Sequence, residues 1–213
     1  MRRARDSALS DRVELVATVL LAVAAVATAW SGYQATRWNG EQAKASSRTN
    51  ALRIDAARAQ GLAEAQKQVD VATFIQWVDA YAQNQGELTE FYEARFRPEF
   101  QPAFAVWLAT KPLTNPDAPK TPFVMPQYRL AAEVEAERLD AEAEVSAAEV
   151  RRNIQRSSNY VLGVVLFSVA LFFAGTSTKL TNPRLRAVAV SVGCVVFLGT
   201  LVWIATSPVS LSI

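Results

Sequence analysis

Three long blocks of this 213-residue chain contain no Asp, Glu, Lys or Arg, and they limit the folds that the chain can adopt. The blocks are Leu15–Thr36, Ser157–Thr178 and Ala187–Ile213. A helix that crosses a bilayer needs about 20 mostly apolar residues, so each block is long enough for one crossing. The rest of the chain is roughly 30% charged, above the level of about 25% that is usual in soluble domains. The sequence therefore predicts an all-α polytopic membrane protein with three transmembrane helices, and it excludes a single soluble globular domain.

The blocks divide the chain into a predicted order of segments. They are a cytoplasmic tail (1–12), transmembrane helix 1 (13–33), an extracytoplasmic helical hairpin (34–159), transmembrane helix 2 (160–178), a cytoplasmic loop (179–186), transmembrane helix 3 (187–207) and a short tail (208–213). The first block also fits a secretory signal peptide, because a basic start precedes it and Ala27-Thr28-Ala29 matches an A-x-A cleavage site. Its apolar character continues to Tyr33, which favours an uncleaved anchor.

The orientation is predicted from the basic residues that flank the blocks. Seven Lys and Arg residues lie in the N-terminal tail and the 179–186 loop, and six lie near the ends of the long hairpin. Long loops contribute little to the positive-inside rule, so the seven basic residues of the tail and the short loop determine the predicted orientation. Aromatic residues that mark an interface fall at block ends on the other side: Trp30, Tyr33, Tyr160 and Trp203. We expect a multi-pass protein of the bacterial inner membrane with a cytoplasmic N-terminus.

Two Ala-rich arms form the predicted hairpin, over residues 37–68 and 127–156. Apolar residues on the second arm recur at steps of three and four, which predicts a helix with one packing stripe. The stripe consists of Ala132, Ala136, Leu139, Ala143, Ala147, Val150 and Ile154. At 1.5 Å per residue, arms of these lengths are each about 50 Å long. The similar lengths favour two antiparallel helices that pack as a coiled coil and continue the first two transmembrane helices.

Between the arms, an aromatic cap is predicted over residues 71–110, followed by a Pro-rich loop over 111–126. The aromatic spacing is typical of short helices near 71–84, 87–97 and 99–110. One interpretation makes the cap a surface for a partner or ligand, formed by Phe74, Trp77, Tyr81, Phe91, Tyr92, Phe96 and Trp107. The commoner explanation of such spacing is a small core, because each aromatic side chain buries a large area. The Pro-rich loop fits either a docking segment or a rigid turn into the second arm.

A polar collar flanks the membrane ends of the two arms. Its basic residues could hold lipid phosphates at the headgroup level; they are Arg37, Lys44, Arg152 and Arg156. Glu41 could pair with Arg152 or Arg156. The alternative is an ordinary layer of long side chains that reach towards the headgroups.

Several kinds of chemistry are excluded or disfavoured by composition. The chain has no His, which excludes Ser-His-Asp and Cys-His catalysis, and its single Cys, Cys194, lies in an apolar block. The acidic run over 133–149 reads as a solvated helix face, since its carboxylates spread around the helix and no His accompanies them. A net charge of +2 gives no indication of nucleic-acid binding. We expect no enzyme activity, no cofactor and no metal site.

The segments Ala29–Lys44 and Arg151–Tyr160 resemble a group of bacterial inner-membrane proteins of unknown function, with one span, a long helical insert and two C-terminal spans. The resemblance implies an inner-membrane location and carries no functional residue. The sequence favours a non-enzymatic interaction or scaffold protein that associates with the bilayer and with itself or another membrane protein. The alternatives are an extracytoplasmic sensing or accessory subunit of a transporter or channel, and an oligomeric channel.

Overall fold

The computed structural model describes residues 2–112 and 114–210, with side chains from Arg12 onwards. Across those ranges it contains no strand and five α-helices: α1 (Arg2–Ala82), α2 (Gly86–Glu93), α3 (Gln101–Ala109), α4 (Ala131–Ser177) and α5 (Pro183–Ala205). A short 3-10 turn covers Pro122–Val124. Three of the helices, α1, α4 and α5, contain stretches long and apolar enough to cross a membrane. The predicted all-α class with three membrane helices is confirmed. Leu113 of the predicted Pro-rich loop and residues 211–213 of the predicted tail lie outside the described residues.

The predicted arms are continuations of the membrane helices. Helix α1 runs without a break through Gly40 and Gly61, and α4 runs from Ala131 into the second apolar block. Helix α1 ends at Ala82, and Asn84 then adopts a left-handed conformation with φ of 57°. Asn tolerates that conformation better than most residues, so the chain turns there into α2. The short predicted helices of the cap are found as the last turns of α1, as α2 and as α3.

The chain forms two compact units. The membrane unit comprises residues 1–47 and 146–213, and the tip unit comprises residues 48–145.

In the membrane unit, buried residues recur every seven positions on all three helices. These residues are Ala17, Ala24, Ser31, Trp38 and Ala45 on α1, Ser146, Asn153, Tyr160, Phe167 and Ala174 on α4, and Val190, Phe197 and Ile204 on α5. A seven-residue repeat keeps one stripe of a helix facing its neighbours along its whole length. The three helices therefore share one narrow core.

Two glycines in this core allow the helices to approach closely. A Cβ atom on Gly163 would lie 2.9 Å from Cδ1 of Ile204, and one on Gly193 would lie 3.2 Å from Cδ2 of Leu20. Small residues at such crossings are the usual means by which membrane helices pack. The glycines thus bring α5 against both α4 and α1.

The predicted packing stripe of α4 is correct at Ala136 and Ala143, is only half-buried at Ala147 and Val150, and is wrong at Ile154. Ser146 and Asn153 are buried in place of Ala147 and Ile154, and Ile154 is 44% exposed. The apolar pattern follows the 3.6-residue period of a straight helix, whereas the packed stripe follows a period of 3.5. Polar residues can occupy the stripe because they are bonded within it. Ser146 donates from Oγ to the carbonyl of Ala45 at 3.2 Å.

In the tip unit, the seven-residue repeat of buried residues continues along α1, at Thr49, Ala56, Ala63, Asp70 and Trp77, and Phe74 and Ala80 are buried beside it near the end of the helix. Near the end of α1, aromatic side chains from α1, α3 and the connecting segments form a core. Its buried members are Phe74, Trp77, Phe96, Phe100, Phe104 and Trp107. This core packs the end of α1 against α3 and against the connecting segments.

Candidate functional site

The aromatic core of the tip unit is arranged largely edge to face. Phe74 lies near its centre and makes near-perpendicular contacts with Phe100, Trp107 and Phe123, with ring centroids 6.2, 5.3 and 5.6 Å apart. Such pairs are worth about 0.5–1.5 kcal/mol each beyond the area that they bury. Both buried indole N–H groups are satisfied. Trp77 donates from Nε1 to Oε1 of Glu93 at 2.8 Å, and Trp107 donates from Nε1 to the carbonyl of Pro119 at 2.7 Å.

A buried carboxylate, Asp70, lies beside this core and connects three parts of the tip unit. Its Oδ2 accepts hydrogen bonds from Nη1 of Arg97 and from the hydroxyl of Tyr128, both at 2.9 Å. Arg97 also pairs with Glu99, and Oε1 of Glu99 accepts from the backbone N–H of Ala131 at 2.9 Å. The network therefore joins α1, the segment before α3 and the start of α4.

Burial sets the electrostatics of this network. Asp70 has no exposed surface, and burial raises the pKa of its carboxyl although Tyr128 and Arg97 act in the opposite direction. Burial and the hydrogen bond to Asp70 also raise the pKa of the Tyr128 hydroxyl. The arrangement is suited to holding the tip unit together.

The structure separates the seven aromatic residues predicted as a partner or ligand surface into three groups. Phe74, Trp77, Phe96 and Trp107 are buried in the core, as the alternative interpretation expects, so they are not available at the surface. Tyr92 is half-buried against that core. Tyr81 and Phe91 are each 46% exposed. The surface hypothesis is therefore reduced to the end of α1 and to α2.

Four exposed apolar residues lie at the end of α1 and on α2, and we call them together the tip patch: Val78, Tyr81, Leu88 and Phe91. Helix α2 buries none of its residues, and Leu88 and Phe91 lie three positions apart on one side of it. Tyr81 stacks on Trp77 at 5.3 Å between centroids. The guanidinium of Arg95 lies 3.4 Å from the centroid of the Phe91 ring, so the exposed ring is held in place. Exposed acidic residues flank the patch in sequence, at Asp79, Glu87 and Glu90.

The predicted collar is found in the membrane unit, with partners that differ from those expected. Glu41 pairs with Lys44 at 2.9 Å and not with a residue of α4, because two residues three apart on a helix are neighbours. Arg156 lies over the ring of Trp38, 4.5 Å from its centroid. Arg152 is exposed and Arg37 is half-buried. The collar thus contains two exposed cations, Lys44 and Arg152, and two half-buried cations, Arg37 and Arg156, of which Arg156 contacts Trp38.

A clasp around the segment after α5 was not predicted from the sequence. The carbonyl of Pro208 accepts hydrogen bonds from Nε1 of Trp38 and from the hydroxyl of Tyr160, both at 3.2 Å. Gln34 accepts from the backbone N–H of Ser210 at 3.0 Å and donates to its carbonyl at 3.4 Å. Gln34 is fully buried. One sequence signal could have indicated the clasp. Gln34 is an amide side chain inside a charge-free block, and a polar group buried there requires a hydrogen-bond partner.

The other polar features are placed as structural elements. The acidic side chains of 133–149 are all exposed, and Arg138 bonds to both Glu135 and Glu142. The Pro-rich loop packs on the aromatic core, because Pro122 is buried and the carbonyl of Pro119 bonds to Trp107. These contacts favour the rigid-turn interpretation of the loop. Comparison with known proteins found no match to this chain among protein-family models, curated proteins or solved structures.

Proposed function

We propose that this protein is a non-enzymatic interaction protein of the bacterial envelope, anchored by three membrane helices, that holds a partner through the tip patch. The observation that carries the proposal is the half-exposed Phe91 and Tyr81 beside a fully packed aromatic core. Isolated apolar side chains are common on surfaces, but grouped aromatic residues on a rigid base are typical of binding surfaces. Arg95 and Trp77 fix the two rings, so binding requires little loss of side-chain freedom.

The charges around the tip patch indicate the chemistry of the partner. Asp79, Glu87 and Glu90 surround the patch in sequence and all are exposed, so they outnumber the guanidinium of Arg95 that lies over Phe91. Interfaces pair a patch of one sign with a patch of the other, which steers association and excludes unsuitable partners. The proposed partner therefore presents apolar side chains flanked by Lys or Arg.

The location is part of the same proposal. Residues 48–145 lie between the first two membrane stretches, so crossings by both stretches would put the tip unit on one side of the bilayer. The distribution of Lys and Arg favours the side opposite the N-terminus. With the bacterial inner membrane as the location, the tip patch faces the periplasm or cell exterior.

The test uses a photo-reactive phenylalanine analogue at Phe91 in the full chain, expressed in bacterial membranes. The matched control places the same analogue at Val134, which is 52% exposed on α4 of the same unit. A second version carries Glu87→Lys and Glu90→Lys. We expect an adduct from Phe91, no such adduct from Val134, and at least a fivefold loss of the adduct on charge reversal.

The identity of the adduct separates the forms that the proposal can take. An adduct of twice the chain mass indicates self-association, and one with a transporter or channel protein indicates an accessory subunit. Equal adducts from Phe91 and Val134, or an adduct unaffected by charge reversal, would contradict partner binding at the tip patch.

A further inference from the structure

An apolar groove runs between α1 and α5 within the membrane unit. Two adjoining hollows of about 310 and 290 Å³ share Val16 and Cys194 in their walls. A third hollow of about 230 Å³ shares Val23 and Phe197 with the larger of these and continues the groove to Ile204. Volumes near 300 Å³ are at the lower end of those found for ligand sites. The walls are Val, Leu and Phe side chains for most of their length, and Arg12 lines one end.

The part of the groove next to Arg12, formed by the first two hollows, matches one leaflet of a bilayer in length. Its α1 wall extends from Arg12 to Val23, which is about 16 Å at 1.5 Å per residue. The hydrocarbon core of a bilayer is about 30 Å thick. A groove of this length therefore covers the depth that a single acyl chain occupies below its headgroup.

The end of the groove at Arg12 has a positive surface. Arg12, Lys179 and Arg184 are all exposed. Arg186 pairs with Glu14 at 3.0 Å, which accounts for the one acidic side chain described at this end. Cations at the headgroup level attract anionic lipids. The groove thus has apolar walls and a cationic end. These match the acyl chain and the phosphate of an anionic phospholipid.

We propose that this groove binds one acyl chain of an anionic phospholipid, whose phosphate lies against Arg12. The wall residues favour an acyl chain over another helix. Helices approach one another closely where the surface carries Gly, Ala or Ser, whereas most of this groove is lined by branched and aromatic side chains such as Val19, Val23 and Phe197. The small residues Ala187 and Ser191 lie in the hollow at Arg12. A flexible hydrocarbon chain can fill the spaces between the branched and aromatic side chains.

The test is native mass spectrometry of the full chain, released from bilayers that hold equal amounts of phosphatidylglycerol and phosphatidylcholine with identical oleoyl chains. The wild-type chain should retain phosphatidylglycerol in preference to phosphatidylcholine. Arg12→Gln should reduce that preference about fivefold, the effect of one cation near a membrane surface. Val16→Trp should fill the groove and remove retention of either lipid. Leu198→Trp, on the α5 wall, provides a second filling variant.

Two control variants separate the groove from general effects of charge and bulk. Val165→Trp changes a residue that is 52% exposed on α4 and does not line the groove. Arg58→Gln removes an exposed cation from the tip unit. Both should retain phosphatidylglycerol as the wild type does. Retention that survives both filling variants, equal retention of the two lipids, or a dimer that Val16→Trp abolishes would overturn the proposal, the last in favour of a second copy in the groove.

Discussion

At the scale of single residues, Asp70 has the most unusual environment in the tip unit. It is a carboxylate without exposed surface, held by Arg97 and Tyr128. A buried carboxylate is tolerated when it is paired and hydrogen-bonded, and removal of one partner from such a pair is strongly destabilising. The stability of the tip unit therefore depends on this ion pair.

The pH dependence of stability follows from the raised pKa of Asp70. The ordinary value is 3.8, so the folded tip unit binds the Asp70 proton more tightly than the unfolded chain does. Its contribution to the unfolding free energy is fully present below pH 3.8 and is lost as the pH rises through the raised pKa. Asp70→Asn keeps this position neutral at every pH. We therefore expect the unfolding free energy of the wild type, relative to that of Asp70→Asn, to fall as the pH rises above 3.8.

The measurement is denaturant unfolding of the full chain in detergent, followed by near-ultraviolet circular dichroism. Asp55→Asn is the matched control, because Asp55 is exposed and pairs with Arg58 on the surface. The difference between wild type and control should not vary with pH to a comparable degree. A difference between wild type and Asp70→Asn that is constant over this pH range would show that Asp70 keeps the same charge in the folded and unfolded states.

At the scale of elements, the helices and the membrane stretches were predictable, but the positions that pack were not fully so. Apolar periodicity locates Ala136 and Ala143 correctly because both periods coincide over the first turns. Beyond Ala143 the 3.5-residue period, with alternating steps of three and four, selects Ser146 and Asn153, and no apolar pattern marks them. Ser146 is buried against α1, since its Oγ donates to the carbonyl of Ala45, and Ser157 further along donates to the carbonyl of Ala35.

Contacts between distant parts of the chain could not be predicted from the sequence, because they too depend on which elements lie side by side in the fold. The clasp joins Gln34 to Ser210, 176 residues away, and the network in the tip unit joins Asp70 to Arg97 and Tyr128. Local patterns determine helices and their apolar sides, whereas these polar pairs depend on which elements become neighbours. The exposed tip patch was partly predictable, since Tyr81 and Phe91 were among the candidates, but their separation from the buried rings required the fold.

A pair of substitutions distinguishes the observed packing stripe from the predicted one. Leu at position 146 introduces a large side chain where α4 contacts the backbone of Ala45, and Leu at the half-buried position 147 does not. Overpacking of a tight contact costs about 1–3 kcal/mol. We expect Ser146→Leu to lower the unfolding free energy by that amount and Ala147→Leu to lower it by clearly less. Thermal unfolding in detergent, with Ser146→Ala as the variant that only removes the hydroxyl, provides the comparison. The reverse order would place Ala147 in the stripe.

At the scale of the whole molecule, the decisive property is the number of times that the chain crosses the bilayer. Helices α1, α4 and α5 each contain one apolar stretch of sufficient length. Three crossings place residues 83–130 on one side of the membrane and the short connection between α4 and α5 on the other. The two segments can therefore be probed separately from the two sides of the membrane.

Single cysteines in a Cys194→Ala chain test both the crossings and the orientation. Asp117→Cys lies in the exposed part of the Pro-rich loop, and Thr181→Cys lies in the exposed connection between α4 and α5. With a cytoplasmic N-terminus, a membrane-impermeant maleimide should label Asp117→Cys in intact spheroplasts and label Thr181→Cys only after permeabilisation. The opposite pattern would reverse the orientation and place the tip patch in the cytoplasm. Labelling of both in intact spheroplasts would mean that α4 does not cross the bilayer, because a single crossing by α4 must separate the two positions.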